Sequence, residues 1–146
     1  MTTAEQIIKK LNLTPHVEKG YYIQTFIDPE KDSEGNAYST AIYYLLQKHD
    51  EKSNWHRVLN AVEIWHYYAG APIRLSLSWN NGAPIRQKIL GSDVMNDEEP
   101  QVLVQRGEWQ SAETLGDWTL VGCTVSPAFA MKHFEMKDKG WQPQVD

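Results

Sequence analysis

Two histidines, a glutamate, two tryptophans and two tyrosines fall between Trp55 and Gly70. No other stretch of the chain is as dense in groups that bind a metal, move a proton or stack on a ring. His56, Glu63 and Gly70 are each separated by six residues. About forty residues after Glu63 comes Gln105-Arg106-Gly107, with Gln110 three positions beyond the glycine. An imidazole titrates near neutral pH, and a nearby carboxylate orients or polarises it. His56 as base with Glu63 as its partner is the pair that proton abstraction beside a carbonyl requires. The same two groups with Gln110 could instead meet a metal. An amide is a poor transition-metal ligand, so a divalent ion is disfavoured and no cofactor is expected. His16 and Glu18 complete such a site if the N-terminal loop folds over it.

These groups need strands to position them. Trp55 to Gly70 reads as two short strands joined by a tight turn, with His56 on the first and Glu63 on the second. Alternation along the second points Glu63, Trp65 and Tyr67 to one face and Ile64, His66 and Tyr68 to the other. His56 and Val58 share the inward face of the first strand. On a later strand Gln110 and Ala112 face inward and Trp109 outward. The inner face then offers His56, Glu63 and Gln110 between walls of Trp65 and Tyr67, an apolar pocket with a few polar groups.

The remaining chain supplies the frame. Thr3 and Gln6 form a capping-box pattern ahead of Ile7, Ile8 and Leu11, which predicts a short helix on the outside of the sheet. Tyr21 to Ile27 and Ser39 to Leu46 read as strands, the second apolar on both faces. Burial on both sides or a subunit contact accounts for that pattern. Ile73, Leu75, Leu77 and Trp79 alternate with polar residues as in a half-buried strand, and Asn80-Asn81-Gly82 signals a hairpin turn. Strands follow near Ile85 to Leu90, Gln101 to Val104, Trp109 to Glu113, Trp118 to Val125 and Phe129 to Met136. The tail from Lys137 is polar and reads as loose. About nine to eleven strands with one minor helix mean an all-β antiparallel sandwich or barrel.

A chain of 146 residues is about one domain. We expect residues 1–14 to carry the helix, 15–136 the barrel and 137–146 the tail. A formal charge of −5 argues against a nucleic-acid footprint. No run reaches membrane-spanning length and no signal pattern opens the chain, so a cytoplasmic protein is expected. The single cysteine, Cys123, excludes an internal disulfide and reads as a small buried hydrophobe. Six tryptophans and seven tyrosines suit strands, pockets and interfaces.

The spacing of His56, Glu63 and Gly70, followed by Gly107, resembles the two motifs of the cupin superfamily. Val58 stands where a second histidine belongs, Gln105 where a proline does and Gln110 where a last histidine does. The likeness extends to Thr14-Pro15-His16-Val17-Glu18, Glu63-Ile64-Trp65-His66-Tyr67-Tyr68, Gly107-Glu108-Trp109-Gln110 and Val121-Gly122-Cys123-Thr124-Val125-Ser126-Pro127. It resembles the small single-domain cupin-five family from roughly Leu13 to Met136. Val17, Lys19 and Ala128 depart from that family's usual pattern. The resemblance implies an RmlC-like jelly-roll barrel, a double-stranded β-helix, commonly assembled as a homodimer. It implies a pocket inside the barrel for a small molecule such as a sugar- or nucleotide-like metabolite, without a settled reaction. A metal-free epimerase-like enzyme using His56 and Glu63 is the alternative, and a metal-dependent cupin with a degenerate ligand set is a second.

Overall fold

The computed structural model describes residues 1–146. Its helix α1 (Ala4–Leu11) is followed by eleven strands. These are β1 (Thr14–Pro15), β2 (Tyr21–Ile27), β3 (Thr40–Gln47), β4 (His56–Val58), β5 (Val62–Gly70), β6 (Ile73–Ser78), β7 (Arg86–Leu90), β8 (Gln101–Val104), β9 (Trp109–Thr114), β10 (Trp118–Ser126) and β11 (Phe134–Met136). They form two antiparallel sheets, one ordered β1-β2-β3-β10-β5-β8 and the other β11-β4-β9-β6-β7. The all-β antiparallel architecture expected from the strand pattern, and the jelly roll implied by the family resemblance, are therefore observed. No helix is long and apolar enough to cross a membrane.

Alternation builds the core. Leu46, Trp65, Ile73, Leu75, Leu77, Leu90, Val102, Val104, Val121 and Cys123 point between the sheets and form one buried cluster. The opposite face of β2 and β3 is covered by α1. Ala4, Ile7, Ile8 and Leu11 pack there with Tyr21, Ile23, Tyr43 and Leu45. The helix cover accounts for the apolar residues on both faces of β3. The capping box forms as read: the Gln6 amide N–H donates to Thr3 Oγ1 at 3.2 Å, and Gln6 Oε1 accepts from the Thr3 amide at 2.8 Å.

Three sequence expectations are corrected. The segment from Phe129 is not one strand: a turn of 3-10 helix spans Met131–His133 and only Phe134–Met136 pairs, with β4. The polar face of β6 is not solvated. Ser76 and Ser78 are buried, because they lie opposite Ser111 and Trp109 on β9. The Ser111 hydroxyl donates to the Ser53 carbonyl and Trp109 is roofed by Trp141. The tail is docked rather than loose. The Lys137 amide donates to the Trp55 carbonyl, and the Gly82 amide to that of Gln144. Trp141 packs against Trp55 and Trp109 at ring separations of 6.4 and 5.0 Å. Trp109 does face outward, but the tail buries it.

Candidate functional site

A cavity of about 500 Å³ lies between the sheets beside the core cluster. Tyr44, Trp65 and Cys123 belong both to its wall and to that cluster. His56 and Val58 enter from β4, Glu63 and Trp65 from β5, and Cys123 and Val125 from β10. The strand period puts each pair two residues apart on the inward face. Tyr22 and Gln24 on β2 follow the same rule, and then the register shifts between Gln24 and Phe26. That bulge turns Ile27, not Phe26, toward the cavity.

The N-terminal loop does fold over the site. The His16 amide donates to the Gly20 carbonyl at 2.8 Å, closing a turn that hangs His16 and Glu18 into the cavity. The Tyr44 hydroxyl donates to the Lys19 carbonyl at 2.6 Å and holds the turn down. Within it Lys19 adopts φ +97°. This is a conformation that suits glycine and strains a side chain bearing Cβ.

His56 is buried and uses both ring nitrogens. Its Nδ1 lies 2.9 Å from the Asn54 carbonyl. A carbonyl only accepts, so Nδ1 carries a proton. Its Nε2 lies 2.9 Å from Glu18 Oε2. A second proton between these atoms makes an imidazolium–carboxylate pair. Burial pulls the His56 pKa down, but the charge and hydrogen bond of Glu18, aided by Asn54 and Glu63, outweigh it and the net shift is upward. Glu63, expected as the orienting partner of His56, is held elsewhere. Its Oε1 accepts from Gln110 Nε2 at 2.7 Å, while Gln110 Oε1 accepts from Trp65 Nε1 at 2.9 Å. Burial raises the Glu63 pKa, with Glu18 adding to the effect and His56 and Gln110 opposing it. His16 shifts the other way, lowered mainly by burial. Its Nδ1 accepts the Glu18 backbone N–H at 3.0 Å, which favours a neutral ring. The rings of Tyr22 and Tyr44 pack on it edge-on at 4.7 and 5.3 Å.

The structure thus brings His16, Glu18, His56, Glu63 and Trp65 to one cavity wall. Gln110 sits directly behind, fully buried, as the link between Glu63 and Trp65. Tyr67 is not among the lining residues. It packs against the core, and its hydroxyl donates to the Gly70 carbonyl. His66 is outward, between Thr124 and Gln101. Cys123 is buried, and burial drives its thiol pKa well up, which leaves it a hydrophobe that happens to touch the cavity. Sequence reasoning missed other lining residues: Tyr22, Ile42, Val125, Phe129 and Phe134. Alternation would have placed the strand residues. The non-strand course of residues 129–133 gave no signal for Phe129.

Both nitrogens of His56 are engaged, Val58 offers no donor, and the Gln110 amide is committed at both ends. No three His, Cys, Asp or Glu side chains are grouped to hold an ion.

The likeness to known proteins agrees with the fold. The family model described as Cupin superfamily (DUF985) matches residues 5–137. No curated protein matches the chain. Among solved structures, protein SO0799 from Shewanella oneidensis is 32% identical, with a TM-score of 0.87 over 94% of this chain and 86% of that one. A hypothetical protein from Leishmania major is 30% identical, with a TM-score of 0.83 over 92% and 86% of the two chains. The capsular polysaccharide assembling protein CapF from Staphylococcus aureus is 11% identical, with a TM-score of 0.64 over 84% of this chain and 33% of its own, and it shares the fold alone. With the jelly roll, the cavity between its sheets and the family match over nearly its whole length, this chain belongs to the cupin superfamily, in its DUF985 family.

Proposed function

We propose that the cavity binds a small metabolite with polar groups on one side and a ring or apolar face on the other, such as a sugar- or nucleoside-like compound. The observation that carries this reading is the buried His56–Glu18 pair set into the wall of a mostly apolar, aromatic-lined cavity. A few convergent polar groups in a concave apolar site of this size are the usual signature of a small-molecule pocket. Ligand hydroxyls find acceptors in Glu18 and Glu63, while Tyr22, Trp65 and Phe134 supply ring contacts.

A thermal-shift screen against a metabolite library tests it. A true ligand at about a hundred times its Kd adds about 2.7 kcal/mol of stability. A library in which no compound raises the melting temperature would sink the proposal.

A second reading is favoured by one feature, the Nδ1–H of His56 held against the Asn54 carbonyl. With Nδ1 held by Asn54, only Nε2 exchanges a proton with the cavity, and Glu18 stabilises the charged ring. In this reading Nε2 first passes its proton to Glu18 Oε2, 2.9 Å away, and then takes one from a carbon beside a carbonyl. The same imidazolium, or a different acid, returns it, and Glu63 donates a hydrogen bond to the carbonyl oxygen. His56→Asn then abolishes turnover and leaves binding within about tenfold of the native value. Turnover that survives this substitution refutes the enzymatic reading and leaves the binding reading standing.

A further inference from the structure

The cavity contains no fixed positive charge to meet an anion. None of its lining residues is a lysine or arginine, whereas two are glutamates, Glu18 and Glu63. The cations available within it are the two imidazoles. That of His56 already faces Glu18 at 2.9 Å, so its charge is matched before any ligand enters. That of His16 accepts the Glu18 backbone N–H through Nδ1, and its ring is walled by Tyr22 and Tyr44. Protonating His16 at Nδ1 would break that hydrogen bond inside an apolar enclosure. A phosphate or carboxylate placed here would exchange water for aromatic rings and two carboxyl groups, with no counter-charge in reach.

We propose that the cavity selects an uncharged, hydroxyl- or carbonyl-bearing ring compound and rejects its phosphorylated or carboxylated derivatives. This rests on the small-molecule reading above and narrows it: free sugars, lactones and nucleosides fit, and sugar phosphates and nucleotides do not. The upward shift of the Glu63 pKa agrees with it, because a protonated Glu63 offers a hydrogen-bond donor as well as an acceptor to a neutral ligand. The rim adds apolar surface. Val17, Ile27 and Met131 line the cavity and are also largely exposed, so an entering ligand passes hydrocarbon, not charge.

Matched probe pairs test the inference by calorimetry and thermal shift: glucose and glucose 6-phosphate, ribose and ribose 5-phosphate, adenosine and its 5′-monophosphate, and phenyl glucoside and its 6-phosphate, with inorganic phosphate alone. The uncharged member of at least one pair should bind, and its phosphorylated partner should bind at least about 100-fold more weakly. Inorganic phosphate should leave the imidazole NMR signals of His16 and His56 in place. A second protein, Met131→Arg, puts a cation at the exposed rim, where folding is not at stake, and should shrink the discrimination at least about tenfold. If the phosphorylated member of a pair binds as well or better, the charge inference is wrong while the small-molecule reading stands. An unchanged ratio in Met131→Arg also overturns it, because charge is then not what discriminates. If no member of any pair binds, the small-molecule reading itself fails and the inference goes with it.

Discussion

Replacing Glu18 by Gln is the sharpest probe of the site, because it changes one charge and almost no volume. In the native protein His56 Nε2 faces Glu18 Oε2 at 2.9 Å with both side chains almost wholly buried. Burial is the largest influence on His56 and it opposes the proton. The carboxylate of Glu18, through charge and hydrogen bond, reverses the balance. Glutamine removes the charge, and its amide N–H now donates to Nε2, which requires a bare nitrogen. His56 should therefore become neutral, with its pKa moving from above the ordinary 6.5 to below it. Each unit of that fall corresponds to about 1.4 kcal/mol of lost preference for the proton. The loss of stability is smaller than that of an orphaned buried charge, about 3–5 kcal/mol, because the ring sheds its proton and keeps a neutral hydrogen bond. We expect about 1–2 kcal/mol at pH 6, or about 2–8 °C in melting temperature. The pKa is read from the imidazole nitrogen shifts across a pH titration, and the stability from urea unfolding. A His56 pKa that stays above 6.5 in Glu18→Gln would show that Glu18 does not hold that proton, and the pairing on which the site rests would be wrong.

Lys19→Gly should stabilise the protein by about 1 kcal/mol in urea unfolding, because glycine adopts the positive φ of this turn without strain and loses only part of that gain to chain entropy. As pH rises above 6.5 stability should decline. A folded-state pKa raised above the ordinary value means that His56 keeps its proton in the fold and contributes fully below 6.5, and that contribution is lost as pH rises through the folded value. Glu63, also raised, acts in the same sense from 4.5 upward, whereas lowered His16 acts below 6.5 with the opposite sign. Denaturant titrations at several pH values should show the decline, and His56→Gln should flatten it. Trp141→Ala should cost about 2 kcal/mol, since it removes two aromatic contacts, and should leave affinity for any cavity ligand unchanged within about twofold.

The strands were legible because the frame of this fold is written in alternation. β2, β5, β6 and β8 fall where the period-2 pattern places them, and a capping box announces α1. The site was legible to the extent that strands carry it. His56, Glu63, Trp65 and Gln110 follow from facing rules. What decides its chemistry comes from a loop. Glu18 reaches His56 through a turn pinned by Tyr44, a contact between residues 18 and 56 that no local pattern encodes. The assignment of Glu63 as the partner failed for that reason: its neighbour across the sandwich is Gln110, on a strand 47 residues away. Tyr67 faces the core as alternation places it, but it packs there without lining the cavity. The tail was misread because polar composition conceals one tryptophan, and Trp141 is what docks it.

The position of β10 in the larger sheet has a consequence for how the chain is made. This strand lies between β3 and β5, pairing with both along nearly its full length. It is also among the last elements to be synthesised. At about 5–20 residues per second, β3 waits roughly 4–14 s for its central neighbour to leave the ribosome. During that interval β3 and β5 each present an apolar edge with unmet backbone hydrogen bonds, and the core residues Leu46 and Trp65 have no floor to close upon. Such edges are templates for pairing with other chains. Translation is thus a period in which these two inner edges lie open, and it ends when Trp118 to Ser126 slides into the gap.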